Sequence, residues 1–205
     1  MIKPPAMARP HTAALKSAVS RRLLLAGAGA CVLARSAAAA PLVGADPLMT
    51  LVALMRQRLD LMVEVARSKW NTGSSVEDLA REKSLAEDVA RIAPGYGLDP
   101  QLAATFFRAQ IEAAKLVESA LIARWTLAHT AAFAEAPDQR TVIRPKIDRL
   151  TEELLAALAA VAPALKRNDA DRIVAAARSP DDVMALAMTR ASQPLLELCG
   201  VKAGG

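Results

Sequence analysis

The sequence predicts an all-α fold: a single-domain helical bundle of about six helices around one long central helix. Three observations lead there. Ala and Leu dominate the chain, aromatic residues make up only 3% of it, and apolar residues recur at helical spacing through every long segment after residue 46, with no alternating pattern to suggest a strand.

The elements follow in order. A first helix runs from about Asp46, a capping residue ahead of Pro47, to about Trp70, and Gly73 in "NTGSS" stops it. A second is expected to start near Ser75, with Glu77 and Asp78 at the positive end of its dipole, and to break at "PGYG" (94–97). Asp99 and Pro100 then open a helix of roughly 30 residues reaching toward Phe133, the expected backbone of the bundle. After "AEAPDQ" (134–139) a fourth helix starts near Pro145 and runs to about residue 165. Two shorter ones, about 169–178 and 180–199, begin at Asp169 and at "SPDD".

Residues 1–40 read differently. They hold Lys3, Arg9, Lys16, Arg21, Arg22 and Arg35 but no acid, then the apolar run "LLLAGAGACVL" and the small-residue tract "SAAAA". That order describes an export signal, cleaved to leave a domain at 41–205 in the periplasm or outside the cell. The apolar run is shorter than the ~20 residues a membrane span needs. Arg21–Arg22 ahead of it resembles a twin-arginine signal, and an ordinary secretory signal fits as well. A lipidated Cys31 would leave "SAAAA" unexplained.

Export changes the electrostatics. The formal net charge of the whole chain is +5, but six of its 26 basic residues lie in 1–40, leaving 20 against 21 acidic ones. The domain has no basic excess and no Trp- or Tyr-rich platform, so nucleic acid is not an expected partner, nor is a membrane once the signal is gone. Cys199 is the one cysteine after residue 40. An intrachain disulfide is therefore ruled out, and Cys199 reads as a small buried hydrophobe or an intermolecular link. His129 is the one histidine left, too few for a zinc site built on histidines or a Ser-His-Asp triad. No Gly-rich phosphate loop is present. Any chemistry must use Arg, Lys, Asp and Glu, and no cofactor is expected.

Within "RLDLMVEVARSKW" (58–70), Arg58 and Lys69 are 11 residues apart. Eleven steps make about three turns, which puts both cations on one helix face some 16 Å apart. They can bracket a small anion, or form a solvated stripe. Asp78 and Arg81 follow, and by spacing alone also fit an ordinary exposed helix pair. Glu118 comes four residues after Ala114 on the long helix, and Arg144 opens the fourth. Trp70 and Trp125 read as core anchors, Met49, Met55 and Met62 as core filler, and Glu112 and Lys115 as a solvated face.

The ordered set Arg58, Lys69–Trp70, Asp78, Arg81, "DP" (99–100), "QI" (110–111), Glu118, Trp125 and Arg144 resembles the exported AroQ-class chorismate mutases of the gamma type, over most of residues 46–150. The resemblance implies a cofactor-free isomerase of aromatic amino acid biosynthesis (the shikimate pathway) that turns chorismate into prephenate, acts as a homodimer, and holds a complete pocket in each protomer. It implies that Arg58 and Arg144 clamp two substrate carboxylates and that Lys69 reaches the ether oxygen and a carboxylate. Asp78 would receive the ring hydroxyl, Arg81 would support that side, and Glu118 would donate a hydrogen bond to the ether oxygen.

Two departures stand out. Ala114 occupies a position where relatives carry Ser or Thr against a substrate carboxylate, and the lone Cys199 cannot form the C-terminal disulfide of some exported relatives. Two other functions share these features: an isochorismate pyruvate-lyase, and a non-catalytic periplasmic helical binding protein on the same scaffold.

Overall fold

The computed structural model describes residues 46–201; the expected export signal at 1–40 lies outside them. Six α-helices account for most of the described chain: α1 (Pro47–Thr72), α2 (Leu79–Ile92), α3 (Pro100–Leu127), α4 (Arg144–Val161), α5 (Asp169–Ala177) and α6 (Asp182–Leu198). No helix among the described residues is long and apolar enough to cross a membrane.

Local chemistry sets the boundaries. The Asp46 carboxylate accepts from the Leu48 N–H, Pro47 fills the first turn where no donor is needed, and Gly73 ends α1 in the left-handed conformation at φ 65°. Asp99 and Pro100 repeat the same opening for α3, and Asp181 caps α6 through the Met184 N–H.

Two boundaries differ from expectation, each for a visible reason. Helix α2 starts at Leu79, not Ser75, because Asp78 is the cap: its Oδ1 accepts from the Arg81 N–H at 3.0 Å. Residues 74–78 are therefore a connecting segment. Helix α3 stops at Leu127, short of Phe133, and His129 turns the chain with φ 49°. Ahead of α4, Asp138 caps a wide five-residue turn (Gln139–Ile143) by accepting from the backbone N–H groups of Arg140 and Thr141.

The 28-residue α3 packs against α6, α2 and α1, while α1 lies against α4, α3, α6 and α5. Between them sits one core. Phe106 and Phe107 are fully buried edge-to-face at 5.4 Å, among Leu51, Met55 and Leu59 of α1, Leu154, Leu155 and Leu158 of α4, and Met188 and Leu195 of α6. Met55 and Met62 are buried and Met49 packs against the core from its edge. Cys199 is buried with a free thiol, which burial pushes above its usual pKa.

The tryptophans are not core anchors. Trp70 and Trp125 are half-buried and meet edge-to-face at 5.9 Å, and Phe133 joins Trp125 at 4.8 Å beneath the guanidinium of Arg67. Asn71 fastens this cluster, donating to the Phe133 carbonyl and accepting from its N–H. The cluster pins the chain leaving α3 to the end of α1, where a Trp–Trp pair gains contact that neither ring would find alone.

Candidate active site

One helical stripe of α1 (Arg58, Met62, Val65, Lys69) forms a wall of a cavity of about 410 Å³, with its members at i, i+4, i+7 and i+11. The cavity's other walls come from α2 with the segment before it, from α3, and from the start of α4. A volume near 400 Å³ suits a small organic ligand.

Lys69 and Glu118, both lining this space, are in direct contact. The lysine Nζ donates to Glu118 Oε2 at 2.7 Å and to the Val76 carbonyl at 2.9 Å, and their side chains are 11% and 6% exposed. Burial pushes the Glu118 carboxyl above its ordinary pKa, while the Lys69 hydrogen bond and charge pull it back down. The net effect is a carboxyl that takes up a proton more readily than an exposed glutamate.

Arg58 is 4% exposed, and its Nε and Nη1 are buried with no hydrogen-bond partner among the described residues. Burial pushes its pKa down to about 10, against the pull of Glu118, so the guanidinium stays charged near neutrality. Unsatisfied buried donors on a cation are costly, and a carboxylate held in two parallel bonds would remove that cost.

The remaining expected residues line the same cavity. Asp78 stands at the exposed rim, where capping α2 does not exhaust a carboxylate's lone pairs. Arg81 is half-buried and meets Asp148 of α4 at 3.5 Å, so it pairs across helices and not with Asp78. Arg144 is the first residue of α4 and lies exposed at the mouth, and Ala114 is buried in the α3 wall. All seven residues, Arg58, Lys69, Asp78, Arg81, Ala114, Glu118 and Arg144, thus border one space.

Lys115 departs from the expected solvated face. Its ammonium lies 3.2 Å from Glu82 and 3.0 Å from Glu112, and Lys115 and Glu82 both line the cavity. The Val76 carbonyl and Gln139 are further wall elements that sequence reasoning missed. Lys115 had a signal, because Ile111, Ala114, Lys115 and Glu118 fall at i, i+3, i+4 and i+7. Val76 and Gln139 had none, since the segment before α2 and the wide turn before α4 place them. Among the described residues, no group of three or more His, Cys, Asp or Glu side chains could hold a metal ion.

The fold and the cavity define a class first: an all-helical protein with a pocket rich in cations, lined by a buried lysine–glutamate pair. Residues 49–119 match the family "Chorismate mutase type II". The secreted chorismate mutase of Mycolicibacterium smegmatis is 36% identical over 146 residues, spanning 68% of this chain and 80% of the relative. That of Mycobacterium tuberculosis is 27% identical over 157 residues, spanning 73% and 78%. The crystal structure of chorismate mutase from Burkholderia thailandensis superposes with a TM-score of 0.67 at 38% identity, covering 73% of this chain and 98% of that one. The Burkholderia phymatum structure gives 0.68 at 32%, covering 73% and 96%. This chain belongs to the chorismate mutases of type II.

Proposed function

We propose that the cavity binds chorismate and rearranges it to prephenate, with Lys69, Glu118 and Arg58 as the groups that act on the reacting atoms. The observation that carries this is the buried Lys69–Glu118 pair at 2.7 Å beside the Nε and Nη1 of Arg58, which have no hydrogen-bond partner among the described residues.

The chemistry needs little more. Chorismate is a dianion, and its rearrangement is a single pericyclic step: the ether C–O bond breaks as a C–C bond forms, with no nucleophile, metal or cofactor. An enzyme accelerates such a step by holding the folded conformer and by stabilising charge that grows on the ether oxygen. Arg58 and Arg144 suit the two carboxylates, since a guanidinium grips a carboxylate bidentately. Lys69 supplies a compact positive charge at the ether oxygen and Glu118, once protonated, a hydrogen bond to it. Asp78 takes the ring hydroxyl and Arg81 supports that side. Entry of a dianion draws Lys69 from Glu118, which favours protonation of the carboxyl further.

The proposal extends to export after removal of residues 1–40, to the periplasm or beyond, and to action as a homodimer. Relatives named as secreted support export; N-terminal sequencing of the exported chain and sedimentation of the purified protein test the two points. The test of function is to incubate the protein with chorismate and with isochorismate separately and identify the products. Prephenate from chorismate is expected. Salicylate from isochorismate alone would instead establish a pyruvate-lyase, and binding of chorismate without consumption would establish a binding protein.

A further inference from the structure

Helix α3 turns one stripe toward the cavity, and Lys115 is the member of it that the proposed chemistry leaves unused. Ile111 is apolar, Ala114 ends at a methyl group, and Glu118 pairs with Lys69. The Lys115 side chain is 21% exposed, which is not the state of a solvated surface lysine. Its Nζ sits 3.2 Å from Glu82 on α2 and 3.0 Å from Glu112 one turn back on α3. An ammonium carries three N–H donors, and two carboxylates occupy two of them.

We infer that Lys115 is a further substrate-contacting residue, whose third N–H donates to a carboxylate of the bound dianion on the stretch of wall where Ala114 has no polar atom to offer. The inference rests on the proposed dianionic substrate. Charge supports it: five cationic and four acidic side chains line the cavity, Lys115 among the former. With Glu118 protonated, as the proposed chemistry requires, the five cations face three charged acids and the pocket is positive by two; removing Lys115 would halve that attraction for a dianion. The hydrogen bond that Lys115 donates to Glu112, and then the one it donates to Glu82, hold its ammonium above its usual pKa against the effect of burial, so the charge persists. Glu82 and Glu112 also restrain a flexible side chain in place before the ligand arrives, which lowers the entropy lost on contact.

Steady-state kinetics on chorismate test this with three variants. Lys115→Met should raise KM by about tenfold or more, the scale of one lost hydrogen bond to a charged group, and leave kcat within about twofold, the signature of lost uniform binding. Lys115→Arg keeps charge and donors and should restore most of the affinity. Glu82→Gln removes a carboxylate that competes for the ammonium and repels the dianion, and should lower KM. An unchanged KM in Lys115→Met would overturn the inference. So would a rise in KM for Glu82→Gln equal to that of Lys115→Met, because Lys115 would then act only by anchoring α2. No turnover by the unsubstituted protein would instead refute the proposed function, so the two failures are distinct.

Discussion

At the level of single residues, the proposed mechanism requires the Glu118 carboxyl to carry a proton. Burial raises the Glu118 pKa and Lys69 opposes the rise. Activity that requires the protonated form is present below the folded-state pKa and is lost as pH rises through it. Replacement by glutamine supplies a permanent donor, so a pH–rate profile of Glu118→Gln should be flat where that of the unsubstituted protein falls. Parallel profiles would remove Glu118 from the ether oxygen. The same raised pKa has a stability consequence. A group that binds its proton more tightly folded than unfolded favours the fold at low pH, and this contribution disappears as pH rises through the folded-state value. Arg58 and Lys69 were legible in the sequence because both sit on one helix, where periodicity alone fixes their common face. Glu118 and Arg144 needed a family pattern, because no local rule brings α3 and α4 to α1.

At the scale of elements, the start of α2 matters most to the site. Asp78 borders the cavity and also caps the helix that carries Arg81, so its two duties can be separated by substitution. Asp78→Ala should cost about 1 kcal/mol of stability through the lost cap, whereas Asp78→Asn, itself a good cap, should cost a few tenths at most. Thermal unfolding of both variants checks this, and equal destabilisation would show that the charge, not the cap, holds α2. The sequence misplaced this helix start because Ser75, Glu77 and Asp78 are all plausible opening residues, and only the chain's path out of Gly73 decides among them. By sequence alone Lys115 looks solvent-facing for a related reason. A lysine flanked by a glutamate one turn earlier has the look of a solvent-facing pair, until α2 brings Glu82 against it.

At the scale of the whole molecule, one core fixes the distances across the cavity. Phe106 and Phe107 lie at 0% exposure where α1, α3, α4 and α6 meet. Phe106→Ala should destabilise by about 3–5 kcal/mol, a large part of the roughly 5–15 kcal/mol typical of a domain. Denaturant unfolding measures it, and a loss below about 1 kcal/mol would contradict tight packing there. The all-helical class was legible because composition and period agree along the whole chain. The Trp70–Trp125–Phe133 cluster was not, since ring size argues for the interior, while the end of α3 and Asn71 hold these rings at the bundle's edge.

In the proposed mechanism a cation pair on one face of α1, met by a carboxyl from α3, stabilises the transition state of a dianion's rearrangement. The most direct measurement is kcat/KM for chorismate with Lys69→Ala and Arg58→Ala beside the unsubstituted protein, each shown folded by circular dichroism. A fall of about 100-fold or more in both is expected for groups aimed at developing charge in a water-poor site. Turnover by either folded variant within a few-fold of the unsubstituted protein would contradict the assigned site.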